Sequence, residues 1–222
     1  MQILTSPAQL QRLEGILKKS LPLALPVYGA VLNINRGNPG QFEVLVDKWP
    51  DFGAVLARPR GERCWRLLGL ELACWVHWEQ GPGEHWGVLG LNLGMLGAEE
   101  HHDWTGKRWG VLGAGIGVLG TQPDPSVRVG CLLPSHVDLL NETWPYGGNA
   151  RSRRYLAELL GRFPHVCLQD SAGEPLSWVL TDHFGTGTHS FTLPAHRRRG
   201  HMQVALTVAA QRAQARGFPT FG

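Results

Sequence analysis

The stretch Leu193-Pro194-Ala195-His196-Arg197-Arg198-Arg199-Gly200-His201-Met202 is the most informative part of this chain. It follows a predicted strand that ends in Ser190-Phe191-Thr192-Leu193, and it opens a helix predicted over residues 200–216. Free backbone N–H groups and the positive dipole end at the start of a helix bind phosphate groups. A glycine lets the ligand approach the backbone, and arginines add charge-assisted hydrogen bonds. The stretch therefore predicts a binding loop for a phosphate or pyrophosphate.

The segments around this loop have helical or strand periodicity. Helices are predicted at residues 137–141 and 151–160, and strands at residues 166–168 and 176–180. The helix after the loop carries one predicted apolar face, formed by Leu206, Ala209, Ala210 and Ala213. Gly217 is its predicted C-terminal cap.

The N-terminal part begins with a predicted helix. Ser6 is its expected N-cap, Pro7 suits the first helical position, and Gln9 would complete a capping box. Leucines at 10, 13, 17 and 21 then form an apolar stripe. Residues 27–35 predict a buried strand, and residues 42–46 predict a second strand that pairs with it across a turn.

The segment from residue 61 to residue 120 is rich in glycine and tryptophan. Trp86-Gly87-Val88-Leu89-Gly90 recurs there as Trp109-Gly110-Val111-Leu112-Gly113. Two copies are fewer than the roughly three units that a solenoid needs. We interpret residues 61–126 as a disordered or aberrant insertion, and a repeat module or a glycine-rich binding loop is the alternative.

The composition is that of an ordinary globular chain. Of the 222 residues 43% are hydrophobic and 18% are charged, and the net charge is +3. No apolar run reaches the roughly 18 residues of a membrane span, and the N-terminus has no secretory signal pattern. The four cysteines form no C-x-x-C pair, which predicts reduced thiols inside a cell.

Two other ligand classes can be weighed against this sequence. The arginine triplet has no interleaved aromatic residues, so we expect no nucleic-acid partner and prefer the phosphate loop. The cluster Glu99-Glu100-His101-His102-Asp103 has adjacent residues, without the spacing that puts metal ligands on one helical face. A polar loop is the better interpretation, and we predict neither a metal site nor a tightly bound cofactor.

Arg-x-x-Gly-x-small after a strand resembles the acyl-CoA pyrophosphate motif of the GNAT acyltransferase superfamily. Arg197 and Gly200 match it, while Met202 stands where that motif has glycine or alanine and could crowd the loop. Other segments resemble the glycine N-acyltransferase-like family, namely residues 27–39, 46–52, 141–144, 147–149, 175–178 and 192–219. The resemblance covers roughly residues 8–58 and 128–222 and leaves out the middle segment.

This resemblance implies an α/β fold of tandem GNAT-like architecture with a mixed sheet. It implies an N-terminal domain at residues 1–165 with the atypical insert at 61–126, and a partial acyl-CoA-binding domain at residues 166–222. The implied activity is transfer of an acyl group from acyl-CoA, the co-substrate, to glycine or another small amine by a mitochondrial, monomeric protein. The residues implied to bind acyl-CoA are Leu193, Arg197, Arg198, Arg199, Gly200, His201 and Met202.

The resemblance also implies a glutamate as general base, and its place falls on Thr186. Threonine is a poor base at neutral pH, so Asp182, His183 and His189 become the candidates for this role. The chain ends where the next strand of the GNAT fold would begin, so we expect weak or absent activity. Two hypotheses stay open: an acyl-CoA:amino-acid N-acyltransferase, and a noncatalytic acyl-CoA-binding or interaction protein.

Overall fold

A computed structural model describes residues 1–60 and 126–219 of this chain, together with three short strands between these ranges. The expectations placed on residues 61–126, including the tryptophan–glycine repeat and the acidic–histidine cluster, otherwise lie outside the described residues. The chain divides into two compact units, Met1–Trp109 and Gly110–Gly222. The domain boundary predicted between residues 165 and 166 stays a prediction.

The first unit combines two helices with an antiparallel sheet of order β1-β2-β3-β5, and β4 pairs with β6 in a separate ribbon. Its elements are β1 (Gln2–Leu4), α1 (Pro7–Lys19), α2 (Leu25–Asn35), β2 (Phe42–Val46), β3 (Ala54–Pro59), β4 (Leu70–Leu72), β5 (Cys74–His77) and β6 (Leu93–Met95). The predicted leucine stripe of α1 is buried at Leu10, Leu13 and Leu17. Ser6 is the N-cap residue, but its side chain accepts no hydrogen bond, so the predicted capping box is wrong.

The strand predicted at residues 27–35 is wrong, because these residues belong to helix α2. A continuous apolar run fits a buried helix as well as a buried strand, and periodicity alone does not separate the two. Pro26 lies in the first turn of α2, where a missing N–H costs no hydrogen bond. Strand β2 is confirmed, but it pairs with β1 and β3.

The second unit is an antiparallel sheet of order β10-β9-β8-β7 with three helices. Its elements are β7 (Arg128–Gly130), α3 (Val137–Thr143), α4 (Ala150–Arg162), β8 (His165–Gln169), β9 (Pro175–Thr181), β10 (Gly187–Thr192) and α5 (His201–Ala215), with 3-10 turns at Pro134–His136 and Pro194–His196. The helices and strands predicted here are confirmed, and so is the α/β class. All strand pairs in the described part of the chain are antiparallel, where a mixed sheet was predicted.

The two faces of this sheet contact different helices. Val166, Leu168 and Val179 form one face, which packs against Ala205 of α5. Trp178 points to the other face because side chains alternate along β9. Its ring lies 6.0 Å from that of His189, and His189 in turn contacts Trp144 at the end of α3. The sheet thus lies between α5 on one face and the end of α3 on the other.

Of the apolar face predicted for helix α5, Ala209 packs against the core and Leu206 does not. Leu206 is 46% exposed, while Ala205 is fully buried. Met202, Val208 and Ala209 pack beside Ala205. Because alanines occur on several sides of this helix, the sequence does not determine which side is its apolar face. Gly217 follows the helix with a left-handed φ of 76°, as expected of a glycine at this end.

The connection between α3 and α4 is closed by a network around Asn141. Its Oδ1 accepts hydrogen bonds from Gly148 N at 3.2 Å and from Ser152 Oγ at 2.6 Å. Asn149 caps α4 by accepting from the backbone N–H groups of its first turn. A Cβ on Gly147 would lie 1.9 Å from the carbonyl oxygen of Asn141. The residues Asn141 and Gly147-Gly148-Asn149 therefore form a tight turn between two helices.

Candidate functional site

The predicted phosphate loop joins β10 to α5. Leu193 N donates to Leu176 O at 3.0 Å, which ties the start of the loop to strand β9. A 3-10 turn follows, and then Arg198 and Gly200 both adopt left-handed backbone conformations, with φ of 63° and 77°. Gly200 is the N-cap position of α5. The left-handed conformations of Arg198 and Gly200 turn the chain sharply just before helix α5 begins.

The N-terminus of α5 has no capping side chain, because a glycine occupies its N-cap position. The first N–H groups of a helix have no intrahelical partner, and they carry the positive end of its dipole. A Cβ at Gly200 would meet no atom within 4 Å, so the space beside the helix start is open. This arrangement fits a phosphate group.

Arg197 is held in a fixed position beside the helix start. Its Nε donates to Thr192 O at 3.1 Å, and its guanidinium carbon lies 5.3 Å from the ring centre of Phe191. The remaining N–H groups of this guanidinium are free to serve a ligand, because one arginine carries five donors. Arg198 and Arg199 are exposed next to it. Three consecutive arginines thus precede the start of α5.

The last two residues of the predicted loop point inward. His201 is 5% exposed, and its ring centre lies 6.4 Å from that of His196. Met202 packs against the core formed by β8, β9 and α5. Its side chain is therefore directed toward the sheet, and we infer that it leaves the loop open.

The place predicted for the general base lies in a turn between β9 and β10. Asp182 Oδ1 accepts hydrogen bonds from Phe184 N and from Thr186 N, both at 2.9 Å. Burial raises the pKa of Asp182 to about 6, and the hydrogen bonds from the backbone and from the Thr186 side chain oppose that rise. The structure therefore joins Thr186 to a carboxylate that titrates close to neutral pH.

The same turn is packed closely from two sides. Gly185 has a left-handed φ of 74°, and a Cβ there would lie 2.7 Å from the ring of Phe218. His183 is 3% exposed, and its Nε2 lies 3.8 Å from Glu158 Oε1. The His183 side chain lowers the pKa of Glu158, which keeps that carboxylate ionised at neutral pH. His183 is thus enclosed by α4 and by the ring of Phe163, 4.6 Å away.

His189 lies within β10 and is 7% exposed. Its Nε2 donates to Leu140 O at 2.8 Å and lies 3.5 Å from Thr143 Oγ1. Burial lowers the pKa of His189 to about 4, so its imidazole is neutral at pH 7. A group with this pKa is a weak base for an amine.

The structure thus brings Asp182 and Thr186 together, whereas His183 and His189 are buried at opposite ends of a ring cluster formed with Tyr155 and Trp144. Sequence reasoning missed Glu158 and Leu140, which contact the two histidines. These partners come from helices 25 and 49 residues away along the chain. No local pattern of the sequence indicates such contacts.

The described part of the chain holds neither a metal cluster nor a membrane-spanning helix. Among those residues, no group of three His, Cys, Asp or Glu side chains is arranged to hold a metal ion. Within the same ranges, every helix is too short or too polar to cross a membrane.

Comparison with known proteins places the chain in a family. A family model described as aralkyl acyl-CoA:amino acid N-acyltransferase matches residues 1–65 and 118–164. Glycine N-acyltransferase of Bos taurus is 30% identical over 263 aligned residues, which cover 100% of this chain and 88% of that protein. Glycine N-phenylacetyltransferase of Bos taurus is 29% identical, with 98% of this chain and 88% of that protein covered.

Two further proteins are similar to this chain. Glycine N-acyltransferase-like protein Keg1 of Mus musculus is 29% identical, with 98% and 88% coverage. The X-ray structure of a Drosophila protein superimposes with a TM-score of 0.57 at 13% identity, covering 97% of this chain and 85% of the other, which shows a shared fold. The family match and the bovine relative together show that this chain belongs to the aralkyl acyl-CoA:amino acid N-acyltransferase family and is an acyltransferase.

Proposed function

We propose that this protein transfers an acyl group from acyl-CoA to the amine of glycine, giving an N-acylglycine and coenzyme A. The observation that carries the proposal is the loop between β10 and α5, where Gly200 is the N-cap residue of α5 and Arg197 Nε donates to Thr192 O. Pyrophosphate groups bind to backbone N–H groups at a helix start and to guanidinium groups. The names of the bovine relatives support glycine as the acceptor.

Acyl-CoA binding is assigned to seven residues of this loop. They are Leu193, Arg197, Arg198, Arg199, Gly200, His201 and Met202. In this proposal the backbone N–H groups at the start of α5 and the three arginines hold the phosphates. Leu193, His201 and Met202 shape the loop from within, since His201 is buried and Met202 packs on the core.

For the base, we propose Asp182 acting through the hydroxyl of Thr186. Thr186 N donates to Asp182 Oδ1 at 2.9 Å, the Thr186 side chain lowers the pKa of that carboxyl, and both residues are half-buried. A hydroxyl that donates to a carboxylate keeps its oxygen lone pairs for a second donor, here the amine. The raised pKa of Asp182, about 6, brings this carboxylate closer to the pKa that suits a general base at neutral pH.

The proposed reaction forms one C–N bond, breaks one C–S bond and moves two protons. The glycine ammonium gives one proton to Asp182 through the Thr186 hydroxyl, and the neutral amine attacks the thioester carbonyl carbon. The C–N bond forms, and the tetrahedral intermediate collapses with cleavage of the C–S bond. The amide nitrogen loses its second proton, the thiolate takes up one proton to give coenzyme A, and one proton is released to water.

A noncatalytic acyl-CoA-binding protein is the second candidate. The observation that favours it is the threonine at position 186, where the resemblance implies a glutamate. Asp182 also stabilises the turn, because its Oδ1 accepts hydrogen bonds from Phe184 N and Thr186 N. A binder of this kind would hold acyl-CoA in the same loop and release no product.

The experiment that tests the proposal is product analysis by mass spectrometry. The chain is incubated with benzoyl-CoA or oleoyl-CoA and with glycine, alanine or no amine. We expect the matching N-acylglycine, and less product from alanine. Product from another amine but not from glycine would overturn the choice of acceptor.

A mitochondrial location and a monomeric state are parts of the same proposal. Cell fractionation tests the location, and light scattering tests the monomeric state.

A further inference from the structure

Phe191 lies on β10 directly before the proposed acyl-CoA loop, and its ring contacts a buried tryptophan. Phe191 pairs with Trp178 across β10 and β9, so the two side chains lie on the same face of the sheet. Their ring centres are 5.4 Å apart and the ring planes differ by 29°, which is a stacked arrangement. Trp178 is fully buried, whereas Phe191 is half-buried. The Phe191 ring is therefore supported by the packed interior and reaches the surface beside the loop.

The guanidinium of Arg197 lies over the same ring, with 5.3 Å between its Cζ and the ring centre. A guanidinium in this position is attracted by the π electrons of the ring, and its planar shape suits stacking. This interaction uses the face of the guanidinium, whereas its N–H donors lie in its plane. Phe191 therefore restrains Arg197 in a way that leaves in-plane donors for a ligand.

A second contact restrains the same side chain from the backbone. Arg197 Nε donates to Thr192 O at 3.1 Å. The backbone that carries both contacts is anchored by the fully buried Ser177, which donates to Phe191 O at 3.2 Å. Ser177 Oγ also lies 2.8 Å from Thr192 Oγ1. Arg197 is thus positioned by two consecutive residues of β10 that the sheet holds in place.

We propose that Phe191 is a positioning residue for acyl-CoA binding: its ring holds the Arg197 guanidinium in the orientation that binds the phosphates. The inference rests on the proposed function, in which Arg197 belongs to the phosphate loop. A long side chain that becomes ordered only on binding loses rotamer freedom, and this loss weakens the affinity. A ring that restrains the guanidinium beforehand removes part of that loss. Phe191 thus raises the affinity for acyl-CoA through Arg197.

A double-mutant cycle on Phe191 and Arg197 tests this inference. The variants are Phe191→Leu, Arg197→Ala and the two combined, with Phe191→Tyr as the conservative variant that keeps a ring. Phe52→Leu is the matched control, since Phe52 is also half-buried and stacks on a tryptophan, Trp49, with ring centres 5.9 Å apart. Calorimetry measures the Kd and stoichiometry of coenzyme A, and turnover gives kcat and the KM of benzoyl-CoA.

For Phe191→Leu we expect the Kd of coenzyme A and the KM of benzoyl-CoA to rise about three- to tenfold, with kcat within about twofold of wild type. Phe191→Tyr and Phe52→Leu should both keep a Kd within about twofold of wild type. When Arg197→Ala is already present, adding Phe191→Leu should change the Kd by less than about twofold, because the ring then has no guanidinium to hold. If Phe191→Leu does not fold, Phe191→Met replaces it in the cycle.

Other results would overturn the inference. An equal Kd in wild type and Phe191→Leu would mean that the ring does not contribute to binding. A rise in Kd that is as large in the Arg197→Ala background as in wild type would mean that the ring contacts the ligand directly. Parallel losses of kcat and of coenzyme A stoichiometry in Phe191→Leu would mean that the ring has a purely structural role.

Failure of the proposed function gives a different pattern. The binding measurements need no turnover, so they decide the inference even if the wild-type chain forms no product with any amine. A wild-type chain that does not bind coenzyme A contradicts both the proposed acyl-CoA loop and this inference. Binding of coenzyme A by wild type without coupling between Phe191 and Arg197 contradicts this inference alone.

Discussion

Asp182 and Thr186 are joined by two hydrogen bonds across their turn. Asp182 N donates to Thr186 O at 3.0 Å, and Oδ1 of Asp182 accepts from Thr186 N at 2.9 Å. The residue that replaces the implied glutamate is therefore in contact with a carboxylate four positions earlier. The same two residues close the turn between β9 and β10. A single pair thus combines a structural role with a proposed chemical one.

The pH dependence of turnover tests Asp182 as the base. Burial raises its pKa to about 6, and only the ionised carboxylate can take a proton. We therefore expect kcat/KM to rise as the pH rises through about 6, since this ratio reports the free enzyme. In Asp182→Asn the rise of kcat/KM near pH 6 should disappear, and kcat/KM should fall by about 10²-fold or more. If the rise near pH 6 persists in Asp182→Asn, a group other than Asp182 causes it.

Asp182→Asn should not destabilise the protein at neutral pH. The amide oxygen can accept the same hydrogen bonds from Phe184 N and Thr186 N, and it carries no charge. Because the folded-state pKa is raised above 3.8, the stability that Asp182 contributes is full below pH 4 and is lost as the pH rises through about 6.

Thermal denaturation checks this expectation. At pH 7.5 the Tm of Asp182→Asn should equal or exceed that of wild type, and the difference should shrink toward pH 4. A Tm below wild type at pH 7.5 together with an equal deficit at pH 4 would mean that burial does not disfavour the carboxylate.

Arg197→Ala should weaken acyl-CoA binding. Hydrogen bonds of charged groups contribute about 1.5–3 kcal/mol, so we expect Kd to rise about tenfold or more. The KM for glycine should stay within twofold, because the arginine belongs to the phosphate loop. Arg151→Ala is the matched control, since this arginine is exposed at the start of α4. Calorimetry with coenzyme A at two salt concentrations measures the change, and equal Kd values for both variants would argue against phosphate binding by Arg197.

Two glycine-to-alanine substitutions should have opposite effects on stability. In Gly147→Ala the new Cβ would lie 1.9 Å from Asn141 O, so we expect a loss of about 2–4 kcal/mol. In Gly161→Ala the Cβ meets no atom within 4 Å, and alanine in helix α4 should stabilise by about 1 kcal/mol. Chemical denaturation of both variants measures the difference. A tolerated Gly147→Ala would contradict the tight turn between α3 and α4.

Much of the second unit was predictable because its signals are local. A strand, a basic loop with Gly200 and a following helix are adjacent in sequence, and the structure has all three. Helix α2 was mistaken for a strand because it is apolar all round and therefore lacks a helical stripe. The packing face of α5 was predicted correctly at Ala209 and wrongly at Leu206, since the many alanines of this helix are similar on each side.

Contacts between distant segments were beyond sequence reasoning. The bond from His189 to Leu140 O joins residues 49 positions apart, and its acceptor is a backbone atom that every residue has. The link between Asp182 and Thr186 is short in sequence, but it depends on a turn in which Gly185 has positive φ. Candidate residues could therefore be named from the sequence, while their neighbours in the fold required coordinates.

The most direct test of acyl transfer in this loop is glycine-dependent release of coenzyme A from benzoyl-CoA. It is measured on the wild-type chain and on a variant with both Arg197→Ala and Arg199→Ala, with N-benzoylglycine quantified by mass spectrometry. We expect wild type to form the product, even if slowly, and the double variant to lose both product and coenzyme A binding. Binding of coenzyme A by wild type without any product at pH 6–9 would contradict the transferase and favour a noncatalytic binder.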